Sequence, residues 1–175
     1  RSQNGEVRLL YEGEALAATG GLGYLHLRQS TNPAVVPGSP TTTAINSNAY
    51  VYLNLRSIPQ TLVNLGVSYD SFQDFEVDRR QVNPKFGATW HVTPDATLRM
   101  AALKVQSRPL ISSQTLEPTQ VAGFNQFYED IIGASSTLYG LGFDQRVSKD
   151  SYLGLEATRR ELTNIHRVRV AREAS

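Results

Sequence analysis

The chain contains no cysteine in its 175 residues, which excludes disulfides, thiolate metal sites and cysteine nucleophiles. It also has no run near the roughly 18 apolar residues that a membrane-crossing helix needs. Neither charge sign dominates: 17 basic residues face 16 acidic ones, for a formal net charge of +1 and a pI near 8.2. Nucleic-acid binders gather lysine and arginine into a patch. Here Arg79-Arg80 and Arg159-Arg160 are only pairs, so no nucleic-acid partner is expected. Helical periodicity is nearly missing, and Glu129 to Ala134 would make one helical turn at most. No charged segment followed by an apolar one opens the chain. The closing Arg172-Glu173-Ala174-Ser175 lacks a terminal aromatic. The expectation is a single β-barrel segment, residues 1–175, cut from a longer polypeptide.

What the chain does have is a side-chain period of 2. Val7, Leu9 and Tyr11 alternate with Glu6, Arg8 and Glu12; Phe86, Ala88, Trp90 and Val92 alternate with Lys85, Gly87, Thr89 and His91. Thr137, Tyr139, Leu141 and Phe143 alternate with Gly140, Gly142, Asp144 and Arg146. That period marks β-strands with different surroundings on their two sides. Strands are predicted at 6–12, 15–28, 49–56, 60–69, 85–92, 97–107, 136–147 and 152–161, with another starting at His166. The connections alternate between tight turns and long polar loops, the latter at 29–47, 70–80 and 108–134. About ten residues per strand with this loop asymmetry is the pattern of an outer-membrane barrel. The mean hydropathy of −0.31 agrees, because such strands show only one face to lipid. The predicted fold is therefore all-β: an antiparallel up-and-down meander of about nine strands, forming a portion of a transmembrane outer-membrane β-barrel.

On that reading Lys85, Asp144, Arg146, Glu156 and Arg160 face the lumen. They carry both signs, which argues against a single-sign selectivity filter. The glycines of the same face, Gly66, Gly87, Gly140, Gly142 and Gly154, either let the strands coil or leave room for water, a loop or a plug. Tyr11, Tyr24, Tyr69, Trp90, Phe143 and Tyr152 sit near strand ends, where barrels place aromatic belts.

Candidate chemistry is sparse. Asp74, Glu76 and Asp78 stand at i, i+2, i+4, a spacing that can offer carboxylates to Ca²⁺. Arg79 stands where an EF-hand requires glycine, and the plainer reading is a solvated acidic loop. His26, His91 and His166 are isolated, and no cofactor is expected. Ser136, Asp144 and His166 have the residue types of a hydrolase triad but no nucleophile elbow, so an enzyme is not expected.

The stretch Asn83-Pro84-Lys85-Phe86-Gly87-Ala88-Thr89-Trp90, the turn Thr93-Pro94-Asp95-Ala96 and the return Thr97-Leu98-Arg99-Met100 resemble the barrel of TonB-dependent outer-membrane receptors. Arg108 to Gln120 is similar to the loop that follows such a hairpin, and Tyr139 to Glu156 to the next hairpin. Gln114 to Phe127 resembles receptor-like barrels fused behind tetratricopeptide repeats. The resemblance implies a bacterial outer-membrane protein that mediates transport or surface attachment of a solute or polymer. Its partners would be outer-membrane lipid and a periplasmic tetratricopeptide domain in the same polypeptide. No plug or TonB box stands in these residues, so no ligand position carries over. The alternative is a soluble β-sandwich or small β-barrel ligand-binding module, whose apolar faces would meet as a core.

Overall fold

A computed structural model describes residues 2–29, 42–74, 78–109, 115–130 and 133–163. The strands are β1 (Ser2–Glu12), β2 (Leu16–Gln29), β3 (Thr42–Ile58), β4 (Thr61–Gln73), β5 (Asp78–Thr93), β6 (Ala96–Gln106), β7 (Gln120–Val121), β8 (Phe124–Asn125), β9 (Ser135–Arg146) and β10 (Tyr152–Thr163). Eight of them form one antiparallel sheet in the order β1-β2-β3-β4-β5-β6-β9-β10, while β7 and β8 form a small separate hairpin. No helix occurs among the described residues. The strand expected from His166 lies outside them.

The register shows what the alternation is for. Leu53, Leu65, Phe86, Ala102 and Tyr139 pair in one row across β3, β4, β5, β6 and β9. The row beside it, Tyr52, Gly66, Lys85, Leu103 and Leu138, points to the opposite face. Phe86 is 42% exposed and its neighbour Lys85 only 3%. A soluble sheet would have these the other way round. The bare face carries Val51, Val67, Val82, Met100 and Leu141, an apolar patch that water would penalise and hydrocarbon accommodates. Tyr11, Trp90 and Phe143 lie on it close to the tight turns; Tyr24 and Tyr69 lie toward the other strand ends. The sandwich alternative needs a second layer against this face, and the described sheet has none. β1 and β10 end the sheet, so in a bilayer their outer backbone groups require further strands for closure.

At one end the tight turns are tied to one another. Arg56 N donates to Ala15 O, His91 N to Gln60 O and Arg146 N to Asp95 O, each at 2.8 Å. Arg56 pairs with Glu12 at 2.8 Å and Arg146 with Asp95 at 2.6 Å. Pro59 followed by Gln60 at φ 58° fits a type II turn, which takes a positive φ at its third residue.

At the other end the strands outrun their predicted limits. Residues 70–73 and 78–80 belong to β4 and β5, and β3 starts at Thr42. Asn46, Asn48 and Asp70 are buried there. Polar residues on the inner face remove the hydrophobic alternation, which is why these stretches read as loop. The β5–β6 ladder stops at the Lys85–Leu103 pair, although β6 pairs on with β9 to Gln106. The next residue of β5 toward this end is Pro84, which has no N–H to give. Beyond it β5 parts from β6, and the connection after β6 turns into the opening.

Leu141→Lys, at the middle of the bare face of β9, is expected to destabilise the inserted sheet by about 2–4 kcal/mol, and Val147→Lys beyond the strand end by about 1 or less. The folded fraction in outer-membrane extracts, scored by gel mobility before and after boiling, checks the difference.

Candidate functional site

The connection between β6 and β9, expected to project as a long outer loop, instead folds back over the polar face of the sheet. Its described part, Thr115 to Asp130, forms a strap. Glu117, Val121, Phe124, Gln126 and Tyr128 point down and are buried; Thr119, Gln120, Asn125, Phe127 and Glu129 point away and are exposed. The strap crosses the full width of the sheet. At one edge Leu116 N and Thr115 Oγ1 donate to Glu6, and Arg8 donates to Leu116 O. At the other, Asp130 pairs with Arg160, whose guanidinium lies 4.5 Å from the Phe127 ring centre.

Beneath the strap four charged side chains are buried. Arg108 donates to Asp70 at 2.7 Å and to Glu117 at 2.8 Å, and Lys85 lies 3.5 Å from Glu117. Two cations meet two carboxylates, so the cluster is neutral. The spare valences are filled: Tyr52 donates to Glu117 at 2.6 Å, Asn83 to Asp70 at 2.7 Å and Lys85 to Ser68 at 2.8 Å. Gln126 donates to Tyr52 and to Pro118 O, fixing the strap's stem. Arg108 also stacks on Tyr128, 4.5 Å from the ring centre. Burial alone would raise the Glu117 pKa; Arg108, Lys85 and the Tyr52 and Arg108 hydrogen bonds outweigh it and hold the carboxyl below its ordinary value of 4.5. Burial lowers and the two carboxylates more strongly raise the Arg108 pKa, which ends above its ordinary value. Burial, then Glu117, push the Tyr128 phenol up.

The hairpin β7–β8 is the deep end of the strap. A Cβ on Gly87 would come within 2.7 Å of Val121 and 2.9 Å of Ala122, and one on Gly140 would strike the Phe124 ring. The two glycines are sockets for the hairpin. Gly66 faces the Tyr52 ring and Gly142 faces Arg99, while Gly154 meets only Asp144. Val121 and Phe124 close an apolar cluster with Tyr50, Tyr52, Ala101, Leu103, Val105, Tyr128 and Leu138. Burial of each such side chain contributes about 1.5–3 kcal/mol. Arg99 holds the tip: it pairs with Asp144 at 2.7 Å and Glu156 at 3.6 Å, donates to Ala122 O, and lies 5.3 Å from the Phe124 ring centre. Arg99 is seven residues below the end of β6, so the tip reaches about 23 Å down the sheet at roughly 3.3 Å per residue.

The residues nominated from sequence fall as follows. Lys85 is in the buried cluster; Asp144 and Glu156 serve Arg99; Arg146 pairs with Asp95 at a tight turn; Arg160 holds the strap's far end. Asp78 pairs with Arg80, Glu76 lies outside the described residues, and no group of three or more His, Asp or Glu among the described residues stands close enough to hold a metal. His91 contacts Thr97, and His166 lies outside the described residues. Ser136 and Asp144 are eight positions apart on one strand, about 26 Å, and cannot act together. Asp70, Arg99, Arg108 and Glu117 were missed. Along β6 both faces read apolar, because Ala101, Leu103 and Val105 lie under the strap; the strap itself has no period to read.

The family model described as "TonB dependent receptor-like, beta-barrel" matches residues 4–137. The chain belongs to that family. No curated protein matches it. Among solved structures, the siderophore receptor PirA from Acinetobacter baumannii is similar over 92% of this chain, with a TM-score of 0.62 and 15% identity. The match covers 26% of that receptor, so this chain spans about a quarter of it, and the likeness speaks for the fold alone.

In this receptor-family barrel, Glu117→Ala would leave two buried cations, Arg108 and Lys85, sharing the single carboxylate of Asp70, at a cost of about 3–5 kcal/mol. Limited proteolysis should then cut within 115–130 while the strands stay protected. The pH dependence follows from the depressed Glu117 value. Its contribution is complete above 4.5 and lost as pH falls through the lower folded value. The share of strap protection that Glu117 supplies should therefore be intact at neutral pH and be lost in acid below 4.5.

Proposed function

We propose that this chain forms part of the wall of an outer-membrane receptor that passes or holds a solute or polymer at the bacterial surface. The observation that carries the reading is the exposed Phe86 beside the buried Lys85: the sheet offers its apolar side outward and keeps its charge within, as a lipid-embedded wall does. Lys85, Asp144, Arg146, Glu156 and Arg160 are lumen-side residues in this proposal. The family match supports a transport receptor in general. The wording of Gln114 to Phe127 further suggests a periplasmic tetratricopeptide domain in the same polypeptide, which would take up or deliver the cargo. The acidic stretch Asp74 to Asp78 has no part in this reading.

The test uses the native full-length polypeptide. It is expected in the outer-membrane fraction, running faster on SDS gels before boiling than after. A soluble band with no heat-dependent shift would sink the proposal.

A further inference from the structure

The sheet's polar face is the surface from which a solute path would ordinarily be read, yet most of it is not open. Lys85, Ser68, Asn83 and Ala101 are buried, and what covers Lys85 and Ala101 is the strap. The buried ion cluster, the two glycine sockets and the Arg99 contacts pin the strap at its stem, its middle and its tip. Release would expose Val121 and Phe124 and part Glu117 from Arg108 and Lys85, so the strap is a fixed lining rather than a flap. The outward side is different in kind. Asn125, Phe127 and Glu129 alternate with the buried Phe124, Gln126 and Tyr128, and are exposed together with Thr119 and Gln120. A cavity of about 400 Å³ opens between Thr115, Thr119, Gln126, Phe127 and Glu129. One side of Phe127 lies against the Arg160 guanidinium, while 42% of the residue is exposed. Arg160 is neutralised by Asp130, and Glu129 has no ion-pair partner among the described residues.

We propose that a solute passing this arc of the barrel meets the outward row of the strap, Thr119, Gln120, Asn125, Phe127 and Glu129, and not the strand residues that alternation assigns to the lumen. An aromatic face, a hydroxyl, two amides and one unneutralised carboxylate suit a polar solute with no net negative charge. This rests on the barrel reading and adds to it which residues the solute touches.

The absence of cysteine in this segment makes thiol mapping direct. Phe127→Cys and Ala101→Cys are placed singly in the full-length polypeptide, with any other cysteine changed to serine, and intact cells are treated with thiosulfonate reagents that do not cross membranes. Phe127→Cys should react, whereas Ala101→Cys, beneath the hairpin, should not. Gly140→Val, which evicts Phe124 from its socket, should make Ala101→Cys reactive. Residues 127 and 129 share one side of an extended segment, about 6.6 Å apart. In a medium of low ionic strength, where screening is weak, one carboxylate at that distance in water raises a local cation and lowers a local anion by about threefold each. A trimethylammonium reagent should thus outpace a sulfonate reagent at Phe127→Cys, and Glu129→Gln should cut that ratio about tenfold. Equal reactivity of Ala101→Cys and Phe127→Cys overturns the proposal, as does a ratio unmoved by Glu129→Gln. Labelling of neither position in intact cells also overturns it, and the heat-dependent gel shift then shows separately whether the barrel reading still stands.

Discussion

Everything on the inner side of this sheet depends on four buried charges that cancel. Glu117 arrives from the strap, Arg108 from its base, and Asp70 and Lys85 from β4 and β5. Ion pairs removed from water gain little net stability, because desolvation of each partner offsets the attraction. Their effect is discrimination. Any other seating of the strap would leave a charge buried alone, so the cluster selects one position for a segment that has little secondary structure of its own. The apolar contacts of Val121 and Phe124 then supply the free energy that the charges do not.

The split in the sheet and the sockets in it make that seating possible. Pro84 ends the β5–β6 ladder where the connection after β6 must turn inward, and Gly87 and Gly140 provide the depth for Val121 and Phe124. A proline and two glycines in central strands would weaken an ordinary sheet. Here each coincides with a feature of the strap, so their cost to the sheet is offset by the packing they permit.

The outer side has the reverse problem. Its apolar rows, such as Leu53, Leu65, Phe86, Ala102 and Tyr139, have no protein partner among the described residues, and hydrocarbon would satisfy them where water does not. Membership of the receptor barrel family and a fold similar to part of a siderophore receptor accord with an apolar outer face of this kind. Among the described residues β1 and β10 are the edges of the sheet, and in lipid the backbone groups of such edges must be paired.

The sequence by itself determined the eight strands of the sheet in outline, though not their full length away from the tight turns, together with their antiparallel order, the tight turns and which face of each is apolar. A period of two is local: it needs no knowledge of what lies across the sheet. It also nominated Lys85, Asp144, Arg146, Glu156 and Arg160 as a group on one side, and in the fold all five are engaged in ion pairs. What only the tertiary structure decided is the course of the strap. Asp70 stood in a predicted loop, Arg108 and Glu117 in a connection without period, and Arg99 on a strand apolar on both sides. Asp70, Arg108 and Glu117 meet across 47 residues of chain and Arg99 meets Glu156 across 57, and these meetings are set by charge neutrality, ring depth and glycine sockets in three dimensions. None of these leaves a local periodic trace, and so the lining of the inner face had to be seen to be known.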